Sequence, residues 1–152
     1  MNYISTRNNQ KNFTFKEVFL KGLADDGGLF VPKSIKQYKK EELDNLKSLS
    51  YNDLAAEIIY PFIGDFMSKD DLISMISKSY SNFRSNDVVK ISNLGSLKVL
   101  ELFHGPTLAF KDIAMQLIGN FYQYHLGRDQ KKINVIVATS GDTGAAAIDA
   151  LK

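Results

Sequence analysis

A β-branched run that passes directly into a glycine-containing turn constrains the fold of this chain most. The run is "KINVIVATS", which is typical of strands buried inside parallel sheets. "SGDTG" follows it, and "AAAIDALK" then has the residue types of a helix. Backbone N–H groups at a helix start carry a partial positive charge, and small residues let an anion approach them. The stretch therefore predicts an α/β domain with a carboxylate or phosphate site formed by Ser140, Gly141, Asp142 and Thr143.

The same loop also fits a plain helix cap. Ser, Asp and Thr are all good N-caps in a tight strand-to-helix connection, and spacing alone does not separate a cap from an anion site. Asp142 speaks against a simple anion site, because its carboxylate must point away from the anion or bind another group. The loop has neither the Gly-Lys-Ser/Thr ending of a P-loop nor the three spaced glycines of a dinucleotide site. Nucleotide binding is therefore disfavoured.

A second motif, "FHGPTLAFKD", places Lys111 directly after a short apolar run. A helix is predicted from about Lys111 to Leu126, with Gly127 in the place of a helix-ending glycine. An amine attacks a carbonyl only when it is neutral. Burial beside Leu108 and Phe110 and the positive helix end would both disfavour the charged form, which is how a Schiff-base lysine is prepared.

Two observations keep the interpretation of Lys111 open. Most lysines at a helix start are ordinary solvated residues, and Asp112 would favour the charged amine if its carboxylate lay close. His104, just upstream, could contact a phosphate or a substrate, although bonding of its ring within the local turn is the commoner arrangement.

The rest of the chain divides into two predicted domains. Residues 1–85 show short strands at "NYIST" and "GLFVP", a capping box at Thr14 and Glu17, and three helical pieces between residues 41 and 80. Ser50 and Ser68 are the predicted N-caps of the second and third pieces. Residues 86–152 begin with paired strands at "VVKIS" and "LKVLELF" and continue into the two motifs. The boundary is predicted within residues 82–88.

Composition excludes several classes of function. The net charge of the 152 residues is only +2 and the lysines are scattered, so there is no nucleic-acid footprint. The absence of cysteine excludes thiolate metal sites, and two histidines make a structural zinc site improbable; no metal is expected. The polar N-terminus and the lack of a long apolar stretch predict a cytoplasmic protein without membrane association. Because "AAAIDALK" ends inside a predicted helix, we expect a fragment of a longer protein.

"ELFHGPTLAFKD", followed about thirty residues later by "ATSGDTGAAA", resembles the threonine synthase family. "GLADDGGLFVP" and "FIGD" resemble the N-terminal domain of the same family. These proteins are pyridoxal-phosphate enzymes of the tryptophan-synthase β-like fold. The resemblance implies an α/β fold class: a mainly helical N-terminal domain with a small sheet, followed by the start of a fold-type II PLP-enzyme α/β domain.

The resemblance also implies a reaction and residue roles. O-phospho-L-homoserine and water would become L-threonine and phosphate, the last step of threonine biosynthesis. Lys111 would bind pyridoxal 5'-phosphate and serve as general base and acid, and residues 140–143 would hold the substrate carboxylate. Asp142 would face the cofactor ring. The family's phosphate-binding loop would lie beyond Lys152, so we expect the 152-residue chain alone to be inactive.

Two alternatives accompany this interpretation. One is a related pyridoxal-phosphate-dependent phospho-lyase, and the other is a non-catalytic domain of the same family with a decayed site. The intact Lys111 and the intact "SGDTG" favour an enzyme. The expected partner is the small-molecule substrate, and homo-oligomerisation is compatible with the sequence.

Overall fold

The computed structural model describes residues 1–64, 66–129 and 133–152, without the side chains of residues 128 and 129. It is a mixed α/β structure, as predicted, and forms two compact units, Met1–Ile73 and Ser74–Lys152. The division between the units falls inside a helix, so the predicted domain boundary at residues 82–88 stays a prediction. In the described part of the chain, no helix has the length and apolar content to cross a membrane.

The first unit begins with a small antiparallel sheet and a capped helix. Strand β1 (Tyr3–Ser5) pairs with β2 (Phe30–Pro32), and helix α1 (Phe15–Lys21) lies between them in sequence. The Thr14 amide donates to Glu17 Oε2 at 2.7 Å, and the Glu17 amide donates to Thr14 Oγ1 at 3.3 Å. The predicted capping box is confirmed.

The three predicted helical pieces are present as α2 (Lys40–Leu46), α3 (Tyr51–Ile63) and α4 (Lys69–Tyr80). The predicted caps are confirmed, because the Ser50 and Ser68 hydroxyls accept the amides three residues downstream at 3.2 and 3.1 Å. The core of the first unit is apolar, and its most buried members are Ala56, Ile63, Met67 and Leu72. Asp65, the last residue of the "FIGD" motif, lies outside the described residues.

The second unit opens with the end of α4 and a β-hairpin. Strands β3 (Lys90–Leu94) and β4 (Leu97–Glu101) pair antiparallel around a two-residue turn, in which Gly95 adopts φ 59°. The predicted strand pair is confirmed. Its apolar side chains face solvent and are more than half exposed at Ile91, Leu94, Leu97 and Leu100.

Two helices complete the second unit and position both motifs. Helices α5 (Asp112–Asp129) and α6 (Asp142–Leu151) approach so closely at Gly119 that a Cβ there would lie 2.3 Å from the Ala150 carbonyl oxygen. Gln116 Nε2 donates to Asp149 Oδ2 at 2.8 Å across the same contact. Helix α4 joins them through the Tyr80 hydroxyl, which donates to the Ile113 carbonyl at 3.0 Å.

Two predicted details are wrong. Helix α5 continues through Gly127 to Asp129, because an exposed glycine inside a helix costs only about 1 kcal/mol and does not require an end. Residues 133–139 of "KINVIVATS" form no strand, and Ile136 is 94% exposed. No described strand lies beside this run to supply hydrogen-bond partners and cover its faces. Its first residue, Lys132, lies outside the described residues.

Candidate active site

Lys111 is the last residue before α5 and is half-buried. Its Nζ lies 4.3 Å from the centroid of the Phe110 ring, within the range of a cation–π contact. Its carbonyl oxygen accepts the Met115 amide at 2.9 Å and so joins the first turn of the helix. Among the described residues, no carboxylate forms an ion pair with this amine.

The apolar enclosure predicted for Lys111 is partial among the described residues. Lys111 is half-buried and its amine lies against the Phe110 ring, but Leu108 and Phe110 are themselves 50% and 55% exposed. No segment of the described chain covers these two side chains enough to remove them from water. The amine therefore has one aromatic ring beside it and an open side toward solvent.

Asp112 is fully buried, and its carboxylate bonds the loop that precedes it. Among the described ion pairs there is none between Asp112 and Lys111, although the sequence made such a pair a possibility. Its Oδ1 accepts the Thr107 hydroxyl at 2.7 Å, and its Oδ2 accepts the Thr107 amide at 2.8 Å. Gly105 packs against the same side chain, where a Cβ would lie 2.4 Å from Asp112 Oδ2. Sequence reasoning missed Thr107, although a hydroxyl five residues before a helix-start aspartate was a usable signal.

His104 is bonded locally, as the commoner of its two interpretations predicts. Its Nε2 lies 2.8 Å from Glu101 Oε2, and the Ser92 hydroxyl donates to the other oxygen of the same carboxylate. The pKa of Glu101 lies below its ordinary value. The hydrogen bond from Ser92 is the larger cause, and the hydrogen bond from His104 is the next. Glu101 and Ser92 were not singled out from the sequence, because their pairing depends on the hairpin register.

The "SGDTG" loop forms the start of α6, with Gly141 as N-cap in a backbone conformation (φ 139°) that favours glycine. The Thr139 hydroxyl, which sequence reasoning also missed, accepts the amides of Gly141 at 3.0 Å and Gly144 at 3.3 Å. Within the described residues, the remaining loop amides have no acceptor: those of Ser140, Asp142 and Thr143. Ser140 and Asp142 are exposed and Thr143 is half-buried, so these donors are open to an anion.

Both motifs thus lie in the second unit, each at the N-terminal end of one of two packed helices. The hydrogen bonds of Lys111 and of the loop do not overlap, and no described hydrogen bond joins one motif to the other. The described residues therefore supply an amine that none of their carboxylates pairs with and, separately, a set of helix-end donors. An amine that bonds a carbonyl and a loop that binds a carboxylate are parts that a pyridoxal-phosphate enzyme of amino-acid metabolism requires.

Comparison with known proteins identifies the family. The family model described as "Threonine synthase N terminus" matches residues 2–80. Threonine synthase of Schizosaccharomyces pombe is 41% identical over 162 residues, covering 100% of this chain and 32% of the relative. The human protein named "Threonine synthase-like 2" is also 41% identical, over 152 residues.

Solved structures agree with this assignment. A yeast threonine synthase superposes with a TM-score of 0.93 at 42% identity, and the pyridoxal-phosphate-bound enzyme of Brucella melitensis superposes with 0.92 at 40%. Each comparison covers 99% of this chain and 33% of the solved chain. The chain belongs to the threonine synthase family and spans about a third of the length of the relatives it matches.

Proposed function

We propose that the chain supplies the cofactor-binding lysine and the substrate-carboxylate loop of a threonine synthase. The reaction would convert O-phospho-L-homoserine and water to L-threonine and phosphate. The observation that carries this proposal is the environment of Lys111. Its amine has no carboxylate partner in the described part of the chain, while the adjacent Asp112 carboxylate is occupied by two bonds from Thr107.

The residues present fit pyridoxal phosphate, the cofactor bound in the Brucella melitensis structure. A primary amine is the group that bonds the aldehyde of pyridoxal phosphate. Lys111 supplies one at the start of α5, where no carboxylate of the described residues is paired with it. When bound, pyridoxal phosphate would supply an electron sink that makes protons next to the substrate amine removable.

The chain's own residues would then have distinct tasks. Lys111 Nζ would hold the cofactor and, once displaced by the substrate amine, take the proton from the substrate Cα as general base. The free amides of Ser140, Asp142 and Thr143 would bind the substrate carboxylate, with the Thr143 hydroxyl as a further donor. The Asp142 carboxylate would turn to the cofactor ring, because it repels a bound carboxylate.

The setting follows from the same proposal. We expect the substrate to be a small phosphorylated amino acid, and we expect no nucleic acid, membrane or metal to take part. We place the protein in the cytoplasm with threonine biosynthesis, either alone or as a homo-oligomer.

The experiment uses a chimera in which this chain replaces the matching third of the yeast threonine synthase. We expect the chimera, loaded with pyridoxal phosphate, to release phosphate from O-phosphohomoserine and to form threonine. Lys111→Ala should abolish both products. Lys98→Ala is the matched control, because Lys98 is an exposed lysine of the same unit, and it should retain activity.

Two outcomes would contradict the proposal. A folded chimera that forms neither phosphate nor threonine, beside an active yeast enzyme, would favour a non-catalytic domain. A chimera that releases phosphate without forming threonine would favour a different phospho-lyase reaction.

A further inference from the structure

A buried carboxylate that touches neither cofactor nor substrate in the proposed function organises the loop before Lys111. Asp112 is completely buried, yet both of its oxygens bond a single residue, Thr107, through the hydroxyl at 2.7 Å and the amide at 2.8 Å. Burying a carboxylate completely costs folding free energy unless the carboxylate is hydrogen-bonded. The two bonds instead close residues 107–112 into a ring at the start of α5.

The glycine of the motif depends on the same carboxylate. A Cβ on Gly105 would lie 2.4 Å from both Cβ and Oδ2 of Asp112, so only glycine permits this approach. The Leu108 amide donates to the Gly105 carbonyl at 3.2 Å, which makes a tight turn around Pro106 and Thr107. The loop is therefore folded onto Asp112 from two sides.

Backbone strain at Leu108 indicates that this folding is enforced. Leu108 adopts φ 67°, and within the described ranges it is the only residue other than glycine with positive φ. Such a conformation persists only where surrounding contacts hold it, and strain of this kind concentrates at functional sites. Here the contacts on both sides of Leu108 are the Thr107–Asp112 bonds and the Ala109 carbonyl, which accepts the Asp112 amide at 3.0 Å.

A second set of hydrogen bonds, made by Arg84, also holds the loop before Lys111. The Arg84 amide donates to the His104 carbonyl at 2.8 Å, and Arg84 Nη2 donates to the Pro106 carbonyl at 3.3 Å. Neither the Thr107–Asp112 bonds nor the Arg84 bonds involve the Lys111 side chain. These bonds therefore fix the backbone around Lys111 without holding its amine.

From this arrangement we propose that Asp112 is a positioning residue, which acts through Thr107 to fix the direction of the Lys111 amine. The proposal rests on the proposed function, since it assumes that Lys111 bonds pyridoxal phosphate. Losing one bond to the carboxylate should open the loop at least about tenfold more often, because hydrogen bonds to charged groups are among the stronger ones. Opening should spread the amine over many orientations and slow its reaction with the cofactor.

The test uses the chimera described for the proposed function and two readouts. Hydrogen exchange of the peptide that contains the residue-107 amide, followed by mass spectrometry, reports opening of the loop. Brief exposure to pyridoxal phosphate with cyanoborohydride, followed by peptide mass spectrometry, reports the rate of labelling at Lys111 relative to exposed Lys98. Thr107→Val removes the hydroxyl, and Thr107→Ser keeps it.

Ser79→Ala is the matched control for general destabilisation. It removes a buried hydroxyl that bonds Asn120 Nδ2 at 2.9 Å in the same unit, without touching the loop. We expect Thr107→Val to speed exchange at least about tenfold and to lower the relative labelling of Lys111, while Thr107→Ser and Ser79→Ala resemble the unsubstituted chimera.

The outcomes separate the two proposals. Faster exchange in Thr107→Val with unchanged labelling of Lys111 would overturn the positioning role and leave the proposed function standing. No preferential labelling of Lys111 in the unsubstituted chimera, with a slowly exchanging loop, would count against the proposed function and remove the positioning role with it. Asp112→Asn, where it folds, should reproduce Thr107→Val.

Discussion

Replacing Gly119 with alanine should have two opposite effects on the stability of the second unit. Alanine is the better helix former, by about 1 kcal/mol in a helix interior. The new methyl, however, would lie 2.3 Å from the Ala150 carbonyl oxygen and 3.0 Å from its carbon, where ordinary contact begins near 3.4 Å. Helices α5 and α6 would have to separate by about 1 Å, which would also stretch the bond between Gln116 and Asp149.

The steric effect should be the larger one. Overpacking costs about 1–3 kcal/mol, and a clash with backbone cannot be relieved by rotating a side chain, so the upper half of that range applies. After subtracting the gain in helix propensity, Gly119→Ala should destabilise the second unit by about 1–2 kcal/mol. Gly127 of the same helix provides the matched control, because no described atom outside the helix backbone lies within 4 Å of the position that a Cβ would take there. Gly127→Ala should stabilise by about 1 kcal/mol.

Hydrogen exchange of the α5 and α6 amides measures both changes in local unfolding free energy. The two variants should differ by about 2–3 kcal/mol, or roughly 30- to 150-fold in exchange rate. If Gly119→Ala protected α5 as well as Gly127→Ala does, the close approach of the two helices would be wrong.

Three further predictions concern the hairpin, the loop and the exposed run. Because Ser92 and His104 lower the folded-state pKa of Glu101, its contribution to stability is fully present above the ordinary value of 4.5 and is lost as pH falls through the folded pKa. Glu101→Gln should therefore reduce the acid-side loss of stability in urea titrations; an unchanged pH dependence would refute this. Thr143→Val in the chimera should weaken substrate binding by about 1.5–3 kcal/mol and cofactor binding less, and calorimetry showing equal losses would assign the loop to the cofactor. The 152-residue chain should self-associate through its exposed apolar run, so Ile136→Lys should lower the sedimentation coefficient at high concentration, and a monomer before substitution would contradict this.

Local signals in the sequence predicted local structure well. The Thr14–Glu17 box, the Ser50 and Ser68 caps and the hairpin around Gly95 all follow from residues within a few positions of one another. Such features depend on short-range hydrogen bonds and backbone preferences, which the residue types determine directly.

Features that depend on neighbours distant in sequence were predicted poorly. "VIVAT" has the composition of a buried strand, but a strand forms only where another strand pairs with it, and none does among the described residues. The wrong prediction at Gly127 is a local one, because an exposed glycine costs a helix only about 1 kcal/mol and the helix continues through it.

The candidate site divides in the same way. Lys111 and residues 140–143 could be identified from their motifs, and the structure places each at a helix start. The side chains that shape the two motifs could not, because Thr107, Thr139 and Asp112 act through bonds that only the folded loops bring together.

The proposed function depends most on Lys111 being the residue that bonds the cofactor. Borohydride reduction of the cofactor-loaded chimera, followed by proteolysis and mass spectrometry, locates the pyridoxyl group directly. We expect one pyridoxyl group per chain, on the peptide that contains Lys111, and none on that peptide in Lys111→Ala. A pyridoxyl group on another lysine of an active chimera, with Lys111 unmodified, would contradict it.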